Sequence, residues 1–137
     1  MPQHYSIRIQ NQIPQIAKVC EGIDDFSKQH LIPDKVVFAL HLSLDEILTN
    51  IISYGYADGG EHEINVCLET DGENLTLIIQ DDSRPFDPTQ APEPDLDKPL
   101  ENRRIGGLGL YLVKNLMDSI EYASNGAINT LTLKKKL

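Results

Sequence analysis

Positive charge is scarce in this chain: 12 Lys and Arg stand against 21 Asp and Glu, for a formal net charge of −9. That balance argues against a sequence-independent grip on DNA or RNA, which needs clustered cations. The only basic run, Lys134, Lys135 and Lys136, lies at the end of the sequence and reads as solubilising. Cysteine is limited to Cys20 and Cys67. Both sit inside apolar patterns with no metal-ligand spacing, as expected of reduced core residues in a cytoplasmic protein. Residues 1–10 lack the charged-then-apolar order of a secretion signal. No apolar run approaches the length of a membrane span, so no membrane role is expected. No Gly-Lys-Ser/Thr occurs, which excludes a P-loop. His4, His30, His41 and His62 stand in no phosphoacceptor context and read as ordinary surface or core residues, and no internal repeat is present.

What is present suits one domain. The chain has 137 residues, 40% of them hydrophobic and 24% charged, enough for a single core and too few for two. Residues 6–10 alternate, with Ile7 and Ile9 on one face, and predict a short strand. Ile13, Ile16, Ala17, Cys20 and Ile23 follow at helical spacing, with Pro14 in the first turn. "HLIPD" breaks that helix, and a second is predicted over 34–53 with Leu40, Leu44, Ile47, Leu48 and Ile51 as its stripe. "YADGG" ends it with glycines able to take positive φ. Ile64, Val66 and Leu68, then Leu75, Leu77 and Ile79, mark two strands joined by a "DGEN" turn. Residues 82–105 hold five of the eight prolines and little apolar material. They predict a long loop of the lid or binding type, mobile without ligand. Glycines at 106–109 open an amphipathic helix running to Met117. A hairpin over 120–123 and 128–133, turning at Asn125-Gly126, closes the chain. Strands not interleaved one-to-one with helices predict an α+β fold: a two-layer sandwich with helices on one face of a mostly antiparallel, mixed sheet.

Three stretches carry chemistry. "LSLDEILTNIISYGY" places Glu46 and Asn50 four residues apart on one helix face, opposite much of the apolar stripe. A carboxylate there can accept a proton, and an amide oxygen is a hard ligand suited to Mg²⁺. On spacing alone the pair reads as two solvated side chains, because E-x-x-x-N is common by chance. "DDSRPFDP" follows the second hairpin strand, so Asp81 ends a strand; by itself this is an acidic turn. "RRIGGLGLYLV" puts Gly106, Gly107 and Gly109 before a helix. Free N–H groups and the positive end of the helix dipole favour an anion there. Alone, it reads as a flexible joint.

In this order the three stretches resemble the N box and the two glycine boxes of the anti-sigma-factor serine/threonine protein kinases, within the histidine-kinase-like ATPase (Bergerat) fold. "INTLTLKKKL" is similar to that family's last strand, and the resemblance covers nearly the whole chain. It implies that the protein binds Mg-ATP and phosphorylates a Ser or Thr on a small antagonist of the STAS type. The implied partners are that antagonist and a sigma factor or other regulator, and a homodimer is compatible with it. Glu46 would be the general base, Asn50 the Mg²⁺ ligand and Asp81 the acceptor for the adenine amine. Gly106, Gly107, Leu108 and Gly109 would line the phosphates, with Arg103 or Arg104 reaching them from the lid. The family has glycine where this chain has Ser83, which lies on the adenine side of the pocket. Arg84 also replaces a residue that is usually small or Pro. These departures leave a second reading open: a non-catalytic regulator of the same fold that sequesters a partner. A sensor histidine kinase is not expected, since the chain has no room for a dimerisation helix pair.

Overall fold

The protein was analysed as a computed structural model, in which residues 3–90 and 107–137 are described. The strands are β1 (Gln3–Gln10), β2 (Glu63–Thr70), β3 (Asn74–Asp81), β4 (Ser119–Ser124) and β5 (Asn129–Lys136). The helices are α1 (Ile16–Gln29), α2 (Asp34–Tyr54) and α3 (Gly107–Leu116). The strands form one sheet in the order β1-β2-β3-β5-β4. Among the described residues every ladder is antiparallel, so the sheet they form is not the mixed one expected. The reason lies in the connections: β2–β3 and β4–β5 are hairpins, and neither helical connection returns a strand parallel to its neighbour.

Period-2 patterning decides which face is covered. Ile64, Val66 and Leu68 of β2, Leu75, Leu77 and Ile79 of β3, and Leu131 and Leu133 of β5 are all buried. They meet Val19, Ile23 and Phe26 of α1, Leu40, Leu44 and Leu48 of α2, and Leu110 and Val113 of α3 in one core. The alternate residues Glu63, Asn65, Glu69 and Gln80 are exposed. Cys67 falls in that outward set and is only partly covered, which corrects its assignment to the core. One-residue alternation between Val66 and Leu68 permits no other direction. Cys20, also partly buried, does pack against the core.

Three other expectations shift. The first helical segment opens as a 3₁₀ turn, Ile13–Gln15, so Ile13 and Ala17 are exposed, and the buried stripe is Ile16, Val19, Ile23 and Phe26. Helix α2 spans 21 residues and contains an 18-residue stretch of mean hydropathy 1.4, long and apolar enough by those measures to cross a membrane. Its apolar stripe is instead spent on the core, where Val36, Ala39, Leu40, Leu44, Ile47 and Leu48 are buried. The helix ends at Gly55 with φ −84°, and the left-handed glycine comes later, at Gly59 with φ 64°. The turn from α1 to α2 closes with the Ile32 N–H donating to the Ser27 carbonyl (3.0 Å), with Leu31 at φ 52°. Most of the expected 82–105 lid, including Arg103, Arg104 and Gly106 beside it, lies outside the described residues. Its beginning, the 3₁₀ turn Pro88–Gln90, is held to α3 by Lys114 Nζ donating to the Thr89 carbonyl (2.8 Å).

Candidate functional site

The antiparallel register and the α2–α3 packing bring distant segments of the sequence to one end of the sheet. Glu46 and Asn50 are half-buried on α2. Four-residue spacing puts them on one face because the other face carries Leu44, Ile47 and Leu48 into the core. The Glu46 carboxylate lies against the first turn of α3. A Cβ added at Gly109 would overlap its carboxylate oxygens. The glycine expected to serve phosphates is thus also what lets Glu46 approach the helix start. Burial, and then the charge of Asp45, hold the Glu46 pKa above the ordinary carboxylate value.

Asp81 closes the inward row Leu75, Leu77, Ile79 on β3 and is 7% exposed. A carboxylate so placed needs donors, and its Oδ1 has three. They are the Ser83 N–H (2.9 Å), the Asn129 amide (3.0 Å) and the Ser83 hydroxyl at short range. Asn129 lies directly across the β3–β5 ladder from Asp81.

The turn after β3 is fastened to the end of α2. The Arg84 N–H donates to the Gly55 carbonyl (2.9 Å). A Cβ on Gly55 would sit 2.6 Å from the Ser83 Cβ and 2.5 Å from the Ile51 carbonyl oxygen. Gly55 therefore makes the room that Ser83 occupies. Ser83 points into the turn, so its extra atoms are accommodated by the fold.

Beside this turn is a cluster centred on His62, which corrects its reading as an ordinary histidine. The His62 ring stacks on Tyr56, with centroids 4.3 Å apart. Its Nδ1 is 3.0 Å from Asp82, and its Nε2 is 3.0 Å from Asp58. Carboxylates on both nitrogens require both to be donors, so hydrogen bonding to Asp82 and then Asp58 raises the His62 pKa. The Tyr56 hydroxyl is buried without a hydrogen-bond partner among the described residues. Burial, with the charges of Asp81 and Asp82, pushes its pKa up.

The structure thus brings Glu46, Asn50, Asp81, Ser83 and the Gly107–Gly109 turn of α3 to the same end of the fold. Gly107 and Leu108 form the first residues of α3, with backbone N–H groups free of intrahelical partners. Sequence reasoning gave no role to Gly55, Tyr56 or Asn129 and read His62 as an ordinary histidine. Gly55 and Tyr56 close the stretch "LSLDEILTNIISYGY" and Asn129 lies in "INTLTLKKKL", so their stretches were marked but not the residues. A cavity of about 330 Å³ opens at the other end of the sheet, between His30, Pro33, Thr70, Asp71 and Leu137, and contains none of the candidate residues.

The donor set fits a nucleotide. An acceptor carboxylate at a strand end and a glycine-opened helix start are what a base and a phosphate chain require. Among the described residues no group of three or more His, Cys, Asp or Glu could hold a metal. Asn50 is the residue that would offer Mg²⁺ a side-chain oxygen there.

The histidine kinase-like ATPase domain family matches residues 9–135, and the chain belongs to that family. Within it, the chain is 35% identical over 96 residues to the serine/threonine-protein kinase BtrW of Bordetella bronchiseptica, a match covering 70% of this chain and 68% of that one. It is also 31% identical over 100 residues to the serine-protein kinase RsbW of Bacillus velezensis, covering 69% of this chain and 62% of the relative. RsbW of Halalkalibacterium halodurans is 28% identical over 93 residues, and 56% of its length is covered. The fold matches the crystal structure of the RsbU and RsbW domains of a Mycobacterium tuberculosis protein, with a TM-score of 0.66 and 16% identity. That match covers all of this chain and 32% of the other.

Proposed function

We propose that this protein is a Mg-ATP-dependent serine/threonine protein kinase of a cytoplasmic partner-switching system. In this reading it phosphorylates a STAS-type antagonist and, when the antagonist is unavailable, holds a sigma factor or a similar regulator. The observation that carries the reading is the Glu46 carboxylate seated on the first turn of α3. There, a base would stand beside the N–H groups that would receive phosphates.

Bound ATP would supply the γ-phosphoryl group, and Mg²⁺ would offset its charge. Asn50 would offer the metal its amide oxygen, and Asp81 would accept from the base. Glu46 would orient the incoming Ser or Thr hydroxyl and take its proton. Its raised pKa suits that task, because a stronger base is a better proton acceptor near neutral pH.

The test is transfer of γ-labelled phosphate from Mg-ATP to STAS-domain proteins of the same organism, followed by mapping of the labelled residue. Label on one Ser or Thr, lost with Glu46→Ala, supports the kinase. A protein that binds such a partner tightly but never labels it is instead a sequestering regulator of the same fold.

A further inference from the structure

Asn129 opens β5, is 4% exposed and faces Asp81 across the ladder. All four of its side-chain hydrogen-bonding positions are filled. Nδ2 donates to Asp81 Oδ1 (3.0 Å) and to the Ser83 carbonyl (2.8 Å). Its Oδ1 accepts from the Ser124 hydroxyl (2.7 Å) and the Tyr122 hydroxyl (3.2 Å). A reversed amide would press its oxygen against a carboxylate oxygen and a carbonyl oxygen at once, so the network admits one orientation.

The consequence falls on Asp81. Its Oδ1 takes the Asn129 amide, the Ser83 N–H and the Ser83 hydroxyl. A carboxylate pinned by three donors on one oxygen cannot rotate freely. No hydrogen bond among the described residues takes Oδ2. We propose that Asn129, together with Ser83, is a positioning residue that leaves Asp81 Oδ2 as a fixed acceptor and so selects a 6-aminopurine over a 6-oxopurine nucleotide. This rests on the nucleotide-binding reading above. An exocyclic amine donates to that oxygen. A 6-oxo group would set acceptor against acceptor beside a buried carboxylate, leaving both unpaired. Ser83, the departure from the family pattern, is on this view part of the clamp.

The experiment is equilibrium titration of the purified protein with Mg-ATP and with Mg-ITP, which carries an oxo group in place of the amine. It is run on the natural chain, Asn129→Ala and Tyr122→Phe, with thermal unfolding of each. The natural chain is expected to prefer ATP on the order of a hundredfold. Asn129→Ala should weaken ATP roughly tenfold and ITP hardly at all, so that the preference shrinks. Tyr122→Phe keeps the amide but frees it, and should move the ratio the same way by less. It carries the test if Asn129→Ala does not fold. A variant that loses both affinities in step with its melting temperature, at constant ratio, would overturn the inference and leave the nucleotide reading standing. Equal binding of ATP and ITP by the natural chain would do the same. No ATP binding at all would overturn both.

Discussion

Gly109 of α3 and Glu46 of α2 are fitted to each other: the space a Cβ would fill at position 109 is taken by the Glu46 carboxylate. The first prediction follows directly. Gly109→Ala gains helix propensity, by about 1 kcal/mol, yet must push the carboxylate away. Phosphoryl transfer should fall by roughly a hundredfold, the range lost when a positioned base is displaced, while the melting temperature hardly changes. In a Glu46→Ala background the same substitution should cost little further activity. Steady-state kinetics of the four proteins check this; additive losses would show that the two residues act separately.

Glu46 itself gives a pH prediction. Burial and Asp45 raise its pKa, so the charged base is lost at a higher pH than an ordinary glutamate would lose it. The logarithm of kcat/KM for phosphate transfer should fall with unit slope on the acid side, with its break above the usual carboxylate range. Asp45→Asn should move the break toward lower pH, because it removes a repelling charge. Glu46→Ala should slow transfer by roughly a hundredfold or more, leaving a residual rate, and keep ATP binding intact, since the carboxylate is assigned to the hydroxyl and not to the nucleotide.

The fit between Gly55 and Ser83 predicts an energetic coupling. Gly55→Ala should destabilise the fold by about 2 kcal/mol through overpacking against the Ser83 Cβ and the Ile51 carbonyl. Ser83→Gly should relieve the first clash and leave the second. In a double-mutant cycle by urea unfolding, a favourable coupling of about 1 kcal/mol is expected. Strict additivity would mean that the turn relaxes freely.

His62 should make stability depend on pH with a definite sign. Its pKa is raised in the fold by Asp82 and Asp58. The stabilisation is therefore fully present below the ordinary histidine value and is lost as pH rises through the folded value. The melting-temperature advantage of the natural chain over His62→Gln should be larger at about pH 5.5 than at about pH 9. The opposite trend would mean that the ring is held neutral.

Much of this architecture was legible in the sequence, because alternation on β2 and β3 and the 3.6-residue stripe on α2 are strong local signals. The Glu46/Asn50 pair and Asp81 were singled out by their order along the chain. What the sequence could not display was pairing. Asn129 is an unremarkable residue after an Asn-Gly turn until the β3–β5 register sets it opposite Asp81. His62 sits between two short glycine-rich and strand segments, and only the folded turn brings Asp82 to its other nitrogen. Ser83 looked like an obstruction because the room for it is made by Gly55, 28 positions earlier in the chain.

The central claim is that this fold holds Mg-ATP at the Glu46–Asp81 end of the sheet. Isothermal titration of the purified protein with ATP, with and without Mg²⁺, tests it most directly. The account predicts saturable binding that strengthens with the metal and is lost with Asp81→Ala. No heat of binding at millimolar ATP, in either condition, would contradict it.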